Sequence, residues 1–411
     1  MDILYVVPYV PSLIRIRPYN FIRILTSRGH RITLAVLWSN LDERAGIGDL
    51  AQYCKAIVDF QMPAWKSLLN SAIALPTGQP LQAWYSWDRK IARAINTLVA
   101  DPADQYHFDV IHIEHLRGVK YGLYLQAMQG KRITAGLRKP SFVWDSVDCI
   151  SYLFRQSAAY SKTFIHRLIT QFDLKRTETY ERELLGRFPK ILITSNQDKQ
   201  AYLALDQSDR YAERLKVVPN GVDVDYFQPN GSLQRETATV VLSGKMSYHA
   251  NITMAIYLME QIMPIVWAQK PDTKVWIVGK DPAKEVRDFA SHPNVTVTGT
   301  VPDIRPYLQR ATAAVVPMVY GAGIQNKVLE SMACGTPVVA TPKAIAAIPA
   351  APNREILVAE KPDEFAREVI YLLENPAAAA SIGKAGREFI LQNYHWDRIA
   401  DVLEEVYYGV N

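Results

Sequence analysis

Short apolar runs alternate with longer stretches of helical periodicity along this chain, and the whole alternation occurs twice. Ile3–Val7 is an apolar run of strand length, followed by a loop through Arg15 and Arg17. A helix is predicted from near Pro18, a residue suited to the first helical position, to Arg28, with Gly29 as its stop. Arg31–Leu37, Val110–Ile113, Phe142–Trp144 and Ile191–Thr194 are further apolar segments bounded by polar residues. The second half restarts the pattern. Thr239–Leu242, Lys274–Val278, Val295–Thr298, Ala313–Pro317 and Pro337–Ala340 read as strands, interleaved with helices over Asn251–Gln269, Ile304–Ala311 and Asn326–Cys334. This order predicts an α/β chain of two Rossmann-like, doubly wound domains, each a parallel sheet covered by helices on both faces. Ligands of such sheets lie outside the carboxyl ends of the strands, so two facing domains would enclose a cleft. The 411 residues fit two domains of about 200 each, divided as 1–208 and 209–390, with an amphipathic helix near Trp396–Tyr408 in the remaining segment 391–411.

Neither half opens with a dinucleotide fingerprint. The first strand runs into Pro8-Tyr-Val-Pro11 and the second half's first strand into Gly244-Lys-Met-Ser, which argues against a nicotinamide dehydrogenase. Cys54, Cys149 and Cys334 lie far apart with no CxxC spacing, which argues against structural zinc or a disulfide framework and suits a reducing cytosol. The first residues lack the basic region of a signal peptide, and no stretch approaches the roughly 18 apolar residues of a membrane span. A cytoplasmic protein is expected.

Charge is unevenly distributed. Residues 1–200 carry 26 Lys+Arg against 17 Asp+Glu (+9), and residues 201–411 carry 20 against 24 (−4). The first half therefore suits an anionic partner. No helix-turn-helix, zinc finger or RNA-binding aromatic signature accompanies that charge, so nucleic acid is not expected. An anionic membrane surface or a phosphate-bearing acceptor fits better, beside the plain alternative of solubilising surface charge.

The most informative segment is Gly321-Ala-Gly-Ile-Gln-Asn-Lys-Val-Leu-Glu330-Ser-Met-Ala-Cys-Gly335-Thr-Pro-Val-Val-Ala-Thr341. It follows a strand, opens with glycines and enters a helix, so free N–H groups at the helix start can cradle phosphate. Lys327 and Glu330, three residues apart, share one helix face. A cation near a pyrophosphate and a carboxylate accepting ribose hydroxyls would suit a nucleoside diphosphate. A surface salt bridge is the alternative reading of the same spacing.

Here the residues resemble a known family. Leu329-Glu-Ser-Met-Ala-Cys-Gly-Thr-Pro-Val-Val-Ala-Thr341 is similar to the donor-site signature of family 4 glycosyltransferases, a retaining group with the GT-B fold. Val218-Pro-Asn-Gly-Val-Asp223, Gly244-Lys-Met, Val278-Gly279, Val297-Thr-Gly-Thr-Val-Pro-Asp303 and Tyr394-His-Trp396 match in order and spacing. In the first half, Pro11, Arg15-Ile-Arg-Pro-Tyr19, Gly29-His30, Asp109-Val-Ile-His-Ile-Glu-His115 and Trp144-Asp-Ser-Val-Asp-Cys-Ile-Ser151 resemble the branch of sugar transferases from exopolysaccharide gene clusters. The resemblance implies a GT-B chain whose last helix packs back towards the first domain. It also implies hexosyltransferase-like transfer of a sugar from a nucleotide-diphosphate donor to a glycan, lipid-linked or small-molecule hydroxyl, with no metal and no separate cofactor. Gly244, Lys245, Gly279, Ala322, Gly323, Ile324, Gln325, Asn326, Lys327 and Glu330 are the implied donor residues. Glu330 matches the second carboxylate of the family's paired-glutamate motif, expected on the ribose, whereas Ala322 stands where the first should be. Lys245 matches the family's diphosphate-binding arginine. The family's accompanying lysine has no counterpart in Ser247–Asn251, and Lys327 is the expected substitute.

Retaining transfer builds negative charge on the leaving diphosphate, which fixed cations and N–H groups stabilise. On the acceptor side, alternation puts His112 and Glu114 on one strand face, with His115 opening the loop. The family commonly has a histidine at the Glu114 position, so Glu114 or His115 is expected to contact acceptor or reacting sugar, against the alternative of satisfied core residues. Asp145 and Asp148 follow another strand end and suit acceptor binding or proton transfer, or else capping. Arg15 and Arg17 suit an acceptor phosphate or the donor diphosphate, or plain solvation. The segment Trp65-Lys-Ser-Leu-Leu-Asn-Ser-Ala-Ile-Ala-Leu-Pro76, with Trp84-Tyr85 and Trp87, suits either packing inside the first domain or peripheral contact with the inner membrane face. A nucleotide-sugar epimerase of the same fold and a nucleotide-sugar-binding protein without catalysis are the alternative functions.

Overall fold

The computed structural model describes residues 1–12, 15–100, 107–130, 139–160, 164–206, 209–321 and 323–409. The chain forms two compact units, Met1–Pro219 together with Ile399–Asn411, and Asn220–Arg398. The division falls after Pro219 rather than near 208 because Leu215–Val217 forms a strand of the first sheet.

Among the described residues, the first unit's strands are β1 (Asp2–Val7), β2 (Arg31–Trp38), β3 (Ala56–Gln61), β4 (Val110–Glu114), β5 (Ser141–Val147), β6 (Lys190–Ile193) and β7 (Leu215–Val217). They lie in the order β3-β2-β1-β4-β5-β6-β7, and every pairing is parallel. β1, β2 and β4 are almost wholly buried, as parallel strands covered on both faces must be. The order reverses between β1 and β4, so the carboxyl ends of these strands form the usual ligand position of such a sheet. The helix after β1 spans Ile16–Ser27 and so begins ahead of Pro18. Pro18 still falls in its first turn, where a missing N–H costs nothing. Within this unit the helix Trp396–Tyr408 delivers Tyr407, fully buried, to the core.

The second unit has β8 (Thr239–Ser243), β9 (Lys274–Val278), β10 (Val295–Val297), β11 (Ala313–Val316), β12 (Val338–Ala340) and β13 (Leu357–Val358), in the order β10-β9-β8-β11-β12-β13. Again all pairs are parallel. The predicted helix over Asn251–Gln269 is present from His249 but contains a π-helical turn at Leu258–Ile262, just ahead of Pro264. Proline has no N–H to give and its ring crowds the carbonyl four residues back, so the ladder widens there. The helix Asn326–Ala333 is stopped by Gly335 at φ 68°, whose N–H reaches the Met332 carbonyl at 2.9 Å.

Two glycines are demanded by backbone crowding. Gly244 and Gly279 follow β8 and β9, with φ 146° and 148°. A Cβ on Gly279 would sit 1.7 Å from the Gly244 carbonyl oxygen. Gly279→Ala is therefore expected to lower the melting temperature of the chain by several degrees, a loss of about 1–3 kcal/mol, measured by calorimetry.

Candidate functional site

In the first unit the structure sorts the candidates at the ends of β4 and β5. His115 and Val147 hold φ of 62° and 69° there. For a β-branched valine that conformation is costly, and such strain collects where a site is being shaped. His112, Glu114 and Asp145 are fully buried behind this edge. Arg17 Nε donates to Asp145 Oδ2 at 2.7 Å, and its Nη1 donates to the Val218 carbonyl at 2.8 Å. The Tyr5 and Tyr9 hydroxyls donate to Glu114 at 2.8 and 3.0 Å. His112 Nε2 lies 3.6 Å from both Glu114 Oε2 and Asp145 Oδ2, while Nδ1 meets the Tyr407 hydroxyl at 2.6 Å. Burial alone would raise the Asp145 pKa, but the Arg17 and His112 charges hold it below the usual range. Burial likewise disfavours the charged form of His112, and the Asp145 and Glu114 carboxylates overcome that and raise it.

This network corrects the expectation for Arg17. It is not an open loop arginine but a helical residue 3% exposed, because the helix starts ahead of it and turns it against the strands. Glu114 and Asp145, expected on the substrate side, are committed to Tyr5, Tyr9 and Arg17. His112, Glu114 and Asp145 bring ligand-type atoms within 4.8 Å of one another. A cation there would compete with the guanidinium that Asp145 already holds.

His115 and Asp148, past the ends of the two strands, are half-buried and differ in character. His115 Nδ1 accepts the Arg117 backbone N–H at 3.2 Å, which leaves its proton on Nε2 as a donor. Burial, assisted by the Arg117 charge, lowers its pKa to about 3, so the ring is neutral. Asp148 is half-buried and accepts from the Thr194 hydroxyl at 3.1 Å. Burial and the Asp198 charge raise its pKa. Nearby, a cavity of about 130 Å³ is lined by Tyr9, Arg15, Trp38, Ser39, Tyr85 and Arg117, among others. Arg15 pairs with Glu43 at 3.3 Å. Arg117 was missed in the sequence. Among the described residues its side chain makes no ion pair, and its Nε is buried without a hydrogen-bond partner. Its position just after a central strand end was the signal that could have marked it.

In the second unit the donor candidates converge on the glycine corner. The Gly244 N–H donates to the Val278 carbonyl at 3.0 Å, joining the ends of β8 and β9. Lys327, in the first turn of the helix Asn326–Ala333, donates to Asn251 Oδ1 at 2.6 Å. Asn251 in turn donates to the Lys245 carbonyl at 2.9 Å. A Cβ on Gly244 would meet Lys327 Cε at 3.3 Å, so the ammonium stem lies directly over this corner. The Lys245 side chain is exposed. Gly323 has φ 70°, Ile324 is buried and Gln325 precedes the helix in extended conformation. Ala322 lies outside the described residues. Among those described, the Glu330 carboxylate accepts no hydrogen bond, and buried Asn326 Oδ1 has no partner. Burial raises Glu330 to about 7 against the pull of Lys327, and burial lowers Lys327 to about 8. A helix start, a lysine in its first turn and a carboxylate one turn on are chemically suited to an anion linked to a polyol.

Comparison with known proteins bears on the fold and on the second unit's sequence. Residues 237–375 match the family model described as Glycosyl transferases group 1. No curated protein matches the chain. Among solved structures, sucrose-phosphate synthase from Thermosynechococcus elongatus is similar with a TM-score of 0.70 at 18% identity, over 100% of this chain and 98% of that one. HepE of Anabaena in complex with UDP has a TM-score of 0.69 at 14% identity, covering 100% of both chains. TarM of S. aureus, solved with Fondaparinux, alpha-GlcNAc-glycerol and UDP, has 0.65 at 10% identity, with 99% of both covered. The fold is that of the GT-B glycosyltransferases. Together with the match over the second unit, it supports a glycosyltransferase.

The buried pair makes a prediction about stability. Arg17→Gln takes the guanidinium from buried Asp145 and is expected to cost about 3–5 kcal/mol at pH 7, read by chemical denaturation. Asp145 has a depressed pKa, so its contribution is present above the ordinary aspartate range and fades as pH falls through the lowered value. The gap between the wild type and Arg17→Gln should therefore narrow in acid.

Proposed function

We propose that this chain is a retaining, metal-independent glycosyltransferase of family 4 that transfers a sugar from a nucleoside-diphosphate sugar to a hydroxyl acceptor. The observation that carries the reading is the second unit's glycine corner, with Lys327 held over it by Asn251 and the Glu330 carboxylate without a hydrogen-bond partner among the described residues. The diphosphate lies against Gly244, Gly323 and the N–H groups of Gln325, Asn326 and Lys327. Glu330 accepts the ribose hydroxyls. Lys327 and Lys245 neutralise the charge that grows on the diphosphate as the glycosidic bond breaks, which is the main catalytic effect available without a metal. HepE has been solved with UDP-glucose, which makes uridine diphosphate the first donor probe.

In the first unit, neutral His115 offers Nε2–H to the reacting sugar or the acceptor, and Asp148 receives an acceptor hydroxyl. The buried network behind them positions both and reacts with neither. The cavity between Arg15 and Arg117 takes an anionic group of the acceptor, since one carboxylate, Glu43, faces two guanidinium groups there. Ala322 stands where the family resemblance puts a carboxylate, so donor binding without turnover is the second reading. A donor that binds but is not consumed with any acceptor would favour it.

Calorimetry with UDP tests the donor site. Glu330→Ala and Lys327→Ala are each expected to weaken binding about 10–100-fold, as for loss of hydrogen bonds to a charged group. Wild-type affinity near that of either variant would refute the assignment. Affinity should rise as Glu330 ionises near pH 7 and fall as Lys327 loses its proton near pH 8. Glu330→Gln should flatten the acid limb of that profile. Arg117→Gln should raise the KM for an anionic acceptor and leave UDP affinity unchanged.

A further inference from the structure

The helix Ala64–Ala74 is built inside out. Its buried positions are Ser67, Asn70 and Ala74, and Asn70 donates to the Trp87 carbonyl at 2.8 Å. Its outward positions are Trp65 at 66% exposure, Leu68 at 66%, Leu69 at 51% and Ile73 at 48%, continued by Leu75 at 46% in the next turn. A surface helix of a globular domain ordinarily turns its apolar stripe inwards and its polar one to water. Scattered exposed leucines need no explanation, but a contiguous stripe of large apolar side chains does. The neighbouring aromatics behave differently. Trp87 packs on Tyr121 with ring centroids 5.2 Å apart, and Lys120 Nζ covers the Trp84 ring at 3.7 Å.

Basic residues border the stripe. From Phe60 to Trp87 the sequence contains Lys66 and no Asp or Glu. Beyond Leu75, Arg176 donates to its carbonyl at 2.7 Å and lies 4.1 Å over the ring of Phe172, itself 49% exposed. Lys175 beside it is exposed. Asp173, on the same helix, is buried and accepts the Leu81 N–H at 3.0 Å. At the other end Lys66 pairs with Asp88, which also caps the next helix, and Arg89 and Lys90 that follow are exposed. Among the described residues these two carboxylates are thus engaged, and exposed Arg89, Lys90 and Lys175 make the rim cationic.

The geometry points to a docking face for an anionic lipid bilayer, with the helix Ala64–Ala74 lying in the headgroup plane. Trp65, Leu68, Leu69, Ile73 and Leu75 enter the acyl boundary while exposed Lys90 and Lys175 meet headgroup phosphates. Anionic headgroups complement that rim, whereas the two carboxylates described beside it, Asp88 and Asp173, are already engaged. The helix has 11 residues, and no described helix is long and apolar enough to cross a membrane. Ala64 and Ser67 also line the cavity that contains Arg15 and Arg117, so docking would set that cavity beside the lipid surface. The inference is independent of the donor site, because vesicle binding and UDP binding are read separately.

Flotation of the full chain with vesicles decides it. The wild type should float with phosphatidylcholine–phosphatidylglycerol vesicles, far less with phosphatidylcholine alone, and less as salt is raised. Leu68→Ser/Leu69→Ser/Ile73→Ser should reduce binding at least about tenfold, and Lys90→Glu/Lys175→Glu should remove the preference for phosphatidylglycerol. Both variants alter exposed positions, so melting temperature and UDP binding should be unchanged. If the triple variant fails to fold, Leu69→Ser alone is read in the same way. Absence of wild-type flotation, or equal flotation of wild type and triple variant, overturns the proposal. So does a wild-type dimer in light scattering that the triple variant makes monomeric without any vesicle binding, since the face would then belong to a second copy of the chain.

Discussion

A guanidinium sealed from water must find an anion, and an aspartate in the same place must find a cation; Arg17 and Asp145 solve each other's problem at 2.7 Å. Much of the first unit is organised by that requirement. The pair fixes the helix after β1 against the end of β5, and a second Arg17 nitrogen ties in the carbonyl of Val218 beyond β7. His112 lies against the same carboxylate and reaches Tyr407, so the helix Trp396–Tyr408 is also bound to it. Removing one buried charge would leave the other unpaid, which is why such networks hold their members in one arrangement.

The two units distribute their polar groups in opposite ways. In the first, the carboxylates nearest the strand ends are spent on internal partners, and the backbone at His115 and Val147 carries the strain of bringing them together. In the second, polar groups are withheld. Among the described residues the Glu330 carboxylate has no hydrogen-bond partner, Asn326 Oδ1 is buried and unsatisfied, and Lys327 gives its hydrogen bond to a neutral amide. Groups left unsatisfied beside a helix N-terminus are costly without a ligand and become favourable with one.

Much of this was legible in the sequence. Strand runs such as Lys274–Val278 and the amphipathic helix Trp396–Tyr408 are strongly patterned, and the structure has them at the same bounds. β3, β7 and β13 were not read, because Ala56–Gln61 is only half-buried and the other two are very short. Arg17 was misplaced because the start of its helix carries no capping signal, and its buried partner lies far along the chain. The helix Ala64–Ala74 shows the limit most plainly. Periodicity reveals that Trp65, Leu68, Leu69 and Ile73 share a face, but it does not say whether that face points to the core or away from it. Only the packing of Ser67 and Asn70 decides.

The membership of residues 399–409 in the first unit has a consequence for synthesis. On the ribosome the chain emerges from its amino end, so β1 to β7 are all available long before Tyr407 exists. Until then His112 lacks its hydroxyl partner and the surface meant for that helix stays uncovered. The first unit can collapse early yet complete its core only after the entire second unit has been made. A fragment cut at the boundary between the two units would therefore be an unfinished domain rather than a smaller one.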